Sequence, residues 1–405
     1  MPKSKYLDYA ASATPNPSSI HVLGVEAKKR LETARKTVAE LLGARPIEII
    51  FTSGATESNN LAIQGVVTAA EDLGIVPHIV TTSIEHPSVL ETCRMLANRK
   101  LADLTIVPVE PNGIVDPQKI KKVIKKNTVL VSVMYANNEI GTIQPIRAIA
   151  KVIRQHRRAM HMEDFFGPRV GRRNSRRGLN QTLKNSPCAW PVFHVDAVQA
   201  ANYLDLNVER LGVDLLSLTG SKIEGAGRAG VLYKRKSVSL AKLFGGGDQE
   251  HGFRPGTENL DEIIKFANAF AVVRKNYEKE NKRLTKLRDY FFENLQKVSR
   301  GVLDIGVNGD LENRLPNNVN VTFGKIPSDL IVLELSAKGV MASSKSACKS
   351  SSVEGSYVLK AINPKLDSEI GGVRFSLGRD TKKSDIDYTL KALKKILIKL
   401  KPWYD

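Results

Sequence analysis

Short apolar stretches alternate with helical ones through the first two-thirds of the chain, and this alternation restricts the fold more than any other feature. From Gly24 to Gly43 apolar residues fall at Ala27, Leu31, Ala34, Val38 and Leu41, one face of a helix closed by glycine. A strand at Ile47–Phe51, a turn at Ser53-Gly54 and a helix through Leu61 follow. The rhythm then repeats with PHIVTTS, a helix after Pro87, LTIVPV, a helix near Lys119–Lys125, TVLVSVM and a helix from Pro145. VFHVD, DLLSL and AGVLY complete the series. Such a pattern predicts an α/β fold with a mostly parallel sheet covered by helices on both faces. After Asn259 the character changes. A charge-rich helical stretch over Leu260–Val298 leads to strand NNVNVTF, helix Asp329–Ala337, strand VRFSL and an amphipathic helix near Ile386–Leu400, which reads as a smaller α+β domain. The expected division is a large domain over 12–258 and a small one built from 1–11 and 259–405.

A chain of 405 residues exceeds one compact core, which supports two packed units. No apolar run approaches the ~18–20 residues of a membrane span, and MPKSKYLDYA has no apolar signal region. A cytoplasmic location is expected. Cys93, Cys188 and Cys348 are too few, and odd in number, for a disulfide framework. None has metal-ligand spacing, so no metal site is expected. The net charge of +19 is compatible with nucleic acid, with an acidic partner or with a basic proteome, and charge alone does not choose. Residues 151–190 hold ten Lys/Arg against Glu163 and Asp164. The stretch from Met160 to Pro191 lacks clear periodicity and reads as a basic surface insertion, either a solvated loop, a docking arm for an acidic acceptor or tRNA, or a source of dimer contacts.

Five motifs carry chemistry. In FTSGATESNN a strand ends, the chain turns at Gly54 and a helix begins near Thr56. Free backbone N–H groups there suit a phosphate, although an ordinary capped turn has the same pattern. HVDAVQ places Asp196 at a strand end, where a carboxylate caps a helix, binds a metal or pairs with a cationic ring nitrogen. LSLTGSK places Lys222 just past another strand end. A lysine at a sheet edge near an aspartate is the pair pyridoxal 5'-phosphate requires, the amine for covalent attachment and the carboxylate to keep the ring nitrogen protonated. A solvated surface lysine is the plainer alternative. His86 in SIEHPSV is either a helix cap, a core histidine or a ring-stacking proton shuttle. Around Cys348, MASSKSACKSSSVEG is polar, with Lys345 and Lys349 placed to lower the thiol pKa. Cys93, on an apparent helix, reads as packing.

Taken together, YLDYAASATP, NPSSIHVLG, FTSGATESNNLAI, SIEHPSV, ANNEIGTIQPI, HVDAVQA, LLSLTGSKI, FRPGTENL, SSKSAC and VRFSLGR occur in the order seen in cysteine desulfurases of the NifS/IscS type. The chain resembles that group of class-V aminotransferases over nearly its whole length. The resemblance implies the fold-type-I architecture of pyridoxal-phosphate enzymes and a homodimer with active sites near the subunit interface. It implies that Lys222 is the Schiff-base lysine, that Asp196 faces the ring nitrogen and Gln199 the phenolic oxygen, and that His86 stacks on the ring. Ala55, Thr56, Thr219 and Ser221 match phosphate contacts, and Thr257 the phosphate contact supplied by the other subunit. Asn138 and Arg374 match the substrate-carboxylate clamp, for which the planar guanidinium is suited. Asn138 also falls among the cofactor contacts. Cys348 matches the nucleophile that takes sulfur from L-cysteine, leaving alanine, for delivery to an iron–sulfur scaffold or a tRNA-thiolation relay.

Three departures stand out. Ser221 replaces the usual histidine before the lysine, IEGAGRAG replaces a Tyr-Gly-Pro-rich turn, and the chain between ATP and NPSS is short enough to lack an N-terminal helix. Selenocysteine lyase, another pyridoxal-phosphate lyase, and a non-catalytic paralogue that binds an acidic partner or nucleic acid are the alternatives; the cysteine motif and the retained Lys222 and Asp196 favour the desulfurase.

Overall fold

The computed structural model describes residues 5–166, 190–344, 355–367 and 370–404, with 161–166 as backbone only. The elements in order are α1 (Val22–Leu42), β1 (Ile49–Thr52), α2 (Ala55–Glu71), β2 (His78–Thr82), α3 (Pro87–Asn98), β3 (Asp103–Val107), α4 (Pro117–Val123), β4 (Thr128–Met134) and α5 (Ile146–Phe166). Then come β5 (Val192–Asp196), α6 (Val208–Leu211), β6 (Leu215–Thr219), β7 (Gly230–Lys234) and α7 (Leu260–Ser299). Last are β8 (Ile305–Val307), β9 (Asn318–Phe323), α8 (Ser328–Ser336), α9 (Tyr357–Ile362), β10 (Val373–Ser376) and α10 (Lys383–Tyr404).

Seven strands form one sheet in the order β1-β7-β6-β5-β4-β2-β3, and β10-β9-β8 form a second, antiparallel one. In the large sheet only β7 runs against the rest, a reversal that alternation of strand and helix does not predict. All seven residues of β4 are buried, as expected of a strand covered on both faces. Val131, Val133, Phe193, Val195, Leu216 and Leu218 pack toward α1, α5 and α7. Leu130, Val192, Leu215 and Leu232 pack toward α2 and α3. The small sheet packs β9 and β10 against α7, α8 and α10 in a separate cluster of Phe291, Val321, Phe323, Leu393 and Leu397. No helix among the described residues is long and apolar enough to cross a membrane.

Helix α1 ends as its glycine predicts. Gly43 sits at φ 66°, and Gly43 N and Ala44 N donate to Glu40 O and Ala39 O. Its apolar stripe ends on buried Leu42 rather than Leu41. Helix α5 runs through Phe166, so Met160, where the periodicity was expected to stop, lies inside a helix. Cys188 and most of the expected insertion lie outside the described residues, and the Pro191 carbonyl that follows accepts from Arg157. The helix α9 and strand β8 are too short for sequence periodicity to mark.

One buried charge pair fixes the loop that carries Thr257. Arg35, 2% exposed on the inner face of α1, donates to Glu250 Oε2 at 2.7 Å, to Glu250 Oε1 at 2.8 Å and to Ile49 O at 2.8 Å. Phe51 N donates to Glu250 Oε2 at 2.8 Å, and Glu250 itself lies at φ 49°. Removing one member strands the other charge in the interior. Arg35→Ala is expected to lose about 3–5 kcal/mol in urea unfolding, whereas Lys36→Ala, which breaks an exposed pair with Glu40, should lose under about 1 kcal/mol. Equal losses would remove Arg35 from this role.

Candidate active site

The expected site residues follow the carboxyl ends of co-directional strands. Ala55 and Thr56 come after β1, His86 after β2, Asn138 after β4, Asp196 and Gln199 at and after β5, and Thr219, Ser221 and Lys222 at and after β6. Loops of a doubly wound sheet meet at that edge, where ligands bind.

Asp196 is the centre of the arrangement. It is 5% exposed, and its carboxylate accepts from Asn59 Nδ2 at 2.9 Å and from Val198 N at 3.1 Å. Among the described residues, its hydrogen-bond donors are therefore neutral. The Asn59 amide also donates to Ser88 Oγ at 2.8 Å, and Ser88 Oγ lies 2.8 Å from His86 Nδ1. A continuous polar chain thus runs from His86 to Asp196 across α3, α2 and β5. His86 serves at once as N-cap of α3, its ring accepting from Ser88 N. Burial lowers the His86 pKa; the negative charge of Asp196 opposes that and the positive charge of Lys222 adds to it. Asp196 and Lys222 are therefore both within electrostatic reach of His86.

Below this chain lies Glu85, fully buried, with Thr82 Oγ1 donating to it at 2.5 Å. Burial raises its carboxyl pKa to about 8, so near neutrality it is largely protonated and adds little negative charge beside Asp196.

The N-terminus of α2 has no side-chain cap, so the N–H groups of Ala55 and Thr56 lack an acceptor within the helix. Thr219 Oγ1 stands 3.3 Å from Ser221 Oγ, and a Cβ placed on Gly54 would lie 3.8 Å from that Thr219 hydroxyl. Helix N–H groups and two hydroxyls form a donor set for an anion. Lys222 lies exposed at the end of the short helical turn Gly220–Lys222, and its carbonyl accepts from Asn202 Nδ2 at 2.7 Å. That turn requires glycine at 220, where a Cβ would come within 2.7 Å of Ala226 O. Gln199 is half-buried three residues past Asp196.

Arg374 arrives from the small sheet. Its Nη1 donates to Asn138 O at 3.0 Å, while Arg374 Nε and Asn138 Oδ1 have no protein partner among the described residues. A buried guanidinium edge left open beside an open amide oxygen matches a ligand carrying a carboxylate and an amine. Thr257, exposed, lines with Thr52, Ser53 and Arg228 a cleft of about 330 Å³. Cys348 lies outside the described residues; Cys93 is buried, and burial pushes its thiol pKa well up, as suits packing.

Sequence reasoning passed over Asn59, Ser88, Glu85 and Glu139. The signal for Asn59 is its place in the stripe Asn59, Ala62, Val66 and Ala70, which the helix buries. An amide in an apolar stripe requires a polar partner.

Buried, open and charged groups therefore fit pyridoxal phosphate: an anion cradle, a lysine and a buried carboxylate. The aminotransferase class-V profile matches residues 3–166 and 177–389. The cysteine desulfurase IscS of Dictyoglomus turgidum is 40% identical over 420 residues, covering 99% of this chain and 96% of that protein. The cysteine desulfurase IscS of Methanosarcina thermophila is 40% identical over 395 residues, covering 98% of this chain and 88% of its own. A solved NifS-like protein superposes with a TM-score of 0.78 at 31% identity, covering 94% of this chain and 91% of its own. The chain belongs to the class-V aminotransferase family, among the cysteine desulfurases of the NifS/IscS type.

Proposed function

We propose that the chain converts L-cysteine to L-alanine and passes the sulfur through a persulfide on Cys348 to an acceptor protein. The buried Asp196 carboxylate carries this reading, because its hydrogen bonds come from neutral donors, which suits a carboxylate that would pair with a cationic ring nitrogen. Pyridoxal phosphate, held there, supplies an electron sink for the substrate's α-carbon.

The residues divide the work. Ala55 and Thr56 N–H groups with the Thr219 and Ser221 hydroxyls hold the phosphate, and Thr257 serves the phosphate of a second subunit in a homodimer. Asp196, fixed by Asn59, keeps the ring nitrogen protonated; Gln199 serves the phenolic oxygen and His86 the ring face. Lys222 would hold the cofactor covalently, and its amine would serve to move the substrate's α-proton. Arg374 and Asn138 grip the substrate carboxylate. The Cys348 thiolate then forms an S–S bond with the substrate sulfur as the Cβ–Sγ bond breaks. The bonding pair stays with carbon, which takes up a proton to become the methyl group of alanine. An acidic sulfur acceptor suits the basic surface of the chain.

Three variants bear on these assignments. Lys222→Ala is expected to lose the visible band of lysine-bound cofactor and its fixation by borohydride. Cys348→Ser should keep both yet release no sulfide from L-cysteine. Borohydride labelling at another lysine, or full sulfide release by the serine variant, contradicts the scheme. Arg374→Ala should cost about 2–5 kcal/mol in kcat/KM for L-cysteine with cofactor absorbance intact; unchanged kinetics would remove Arg374 from the clamp.

A further inference from the structure

Residues 345–354, which contain Cys348, lie outside the described residues, yet the chain on either side is described. On the amino-terminal side Ser343 bridges to Arg374: Ser343 N donates to Arg374 O at 3.1 Å, and Arg374 N to Ser343 O at 2.7 Å. On the carboxyl-terminal side two consecutive hydroxyls reach the strand-end loops of the large sheet. Ser356 Oγ donates to Glu139 Oε2 at 2.5 Å, and Tyr357 Oη donates to Glu85 O at 2.6 Å. Glu139 adjoins Asn138 in the chain, and Glu85 adjoins His86.

The acceptors are themselves immobilised. Glu139 N donates to Asn137 Oδ1 at 2.8 Å, and Glu139 O accepts from Asn318 Nδ2 at 2.9 Å and Asn320 Nδ2 at 3.0 Å. Its 4% exposure keeps the charge-assisted bond with Ser356 away from solvent. Ser356 has a local duty as well, accepting from Leu359 N at 3.1 Å as N-cap of α9. The Tyr357 hydroxyl, in contrast, bonds to a backbone carbonyl across 272 residues of sequence, so helix capping does not explain it.

We infer that Ser356 and Tyr357 are positioning residues for sulfur transfer: they tie the chain just past the nucleophile to the Glu139 carboxylate beside Asn138 and to the Glu85 carbonyl beside His86, so that the thiol's tether and the substrate's grip share one frame. This rests on the desulfurase reading. Attack of one sulfur on another requires near-contact and alignment, and a displacement of about 1 Å can cost ~10²-fold in rate. Holding Ser343 to Arg374 on one side, and Ser356 and Tyr357 to Glu139 and Glu85 on the other, fixes the two points from which the chain leads to Cys348.

The test uses holoenzyme with Tyr357→Phe, Ser356→Ala and the pair together, followed in a single turnover with L-cysteine. The cofactor band and the half-saturation of its change on adding L-cysteine are expected to match wild type. Formation of alanine and of persulfide on Cys348 should fall, by about tenfold or more in the double variant. Ser356→Thr, which keeps the hydroxyl, should restore the rate lost in Ser356→Ala. Wild-type turnover by the double variant overturns the inference. So does loss of L-cysteine saturation in Tyr357→Phe, because the contacts would then build the substrate site instead of directing the nucleophile. A wild-type enzyme that makes no alanine from L-cysteine is a separate result, one that defeats the desulfurase reading itself.

Discussion

Much of the site's geometry follows from holding one carboxylate, Asp196, in the interior. Desolvating such a group costs several kcal/mol unless donors replace the lost water. The protein supplies them from two directions, Asn59 on α2 and the Val198 amide just past β5. Because Asn59 also holds Ser88, and Ser88 meets His86, the loop after β2 is placed by the same bond that satisfies the aspartate. A single amide therefore aligns three elements. The high pKa of Glu85 belongs to the same economy: a second negative charge at that depth would oppose the first, and burial keeps it neutral.

The second constraint is the seam between the two sheets. The turn over residues 137–141 projects from the large sheet onto β9, where Asn318 and Asn320 both donate to Glu139 O. Gly141 makes that approach possible: at φ 73°, any Cβ would lie 2.5 Å from Asn318 Cγ. Buried Arg314 closes the seam by donating to Asp310 O, Asn308 O and Asn318 Oδ1, three neutral acceptors. Burial and the nearby Arg288 charge bring its pKa down to about 10, so its charge persists at neutral pH. Arg374 crosses the same seam to Asn138. The proposed substrate grip therefore depends on how the small sheet is seated.

Strands such as TVLVSVM and VFHVD are legible as sequence because side-chain burial on both faces leaves a largely apolar run, and the structure gives β4 and β5 those same limits. Asp196, Lys222, His86 and Arg374 are legible because motif order survives whatever lies between motifs. Asn59, Glu85 and Glu139 are not, since each acts through a partner many residues away; Asn59 reaches Asp196 across 137 positions. Arg35 is a similar case, a charge in an apolar stripe explained only by Glu250.

The sequence by itself determined the alternation of strand and helix, the family and which residues are candidate reactive groups, because periodicity and motifs are local properties of the chain. Tertiary structure decided the reversed direction of β7, the neutral state of Glu85, the open edge of Arg374 and the ties from Ser356 and Tyr357 to the strand-end loops. These depend on burial and on contacts between distant residues, and both arise only in the folded chain.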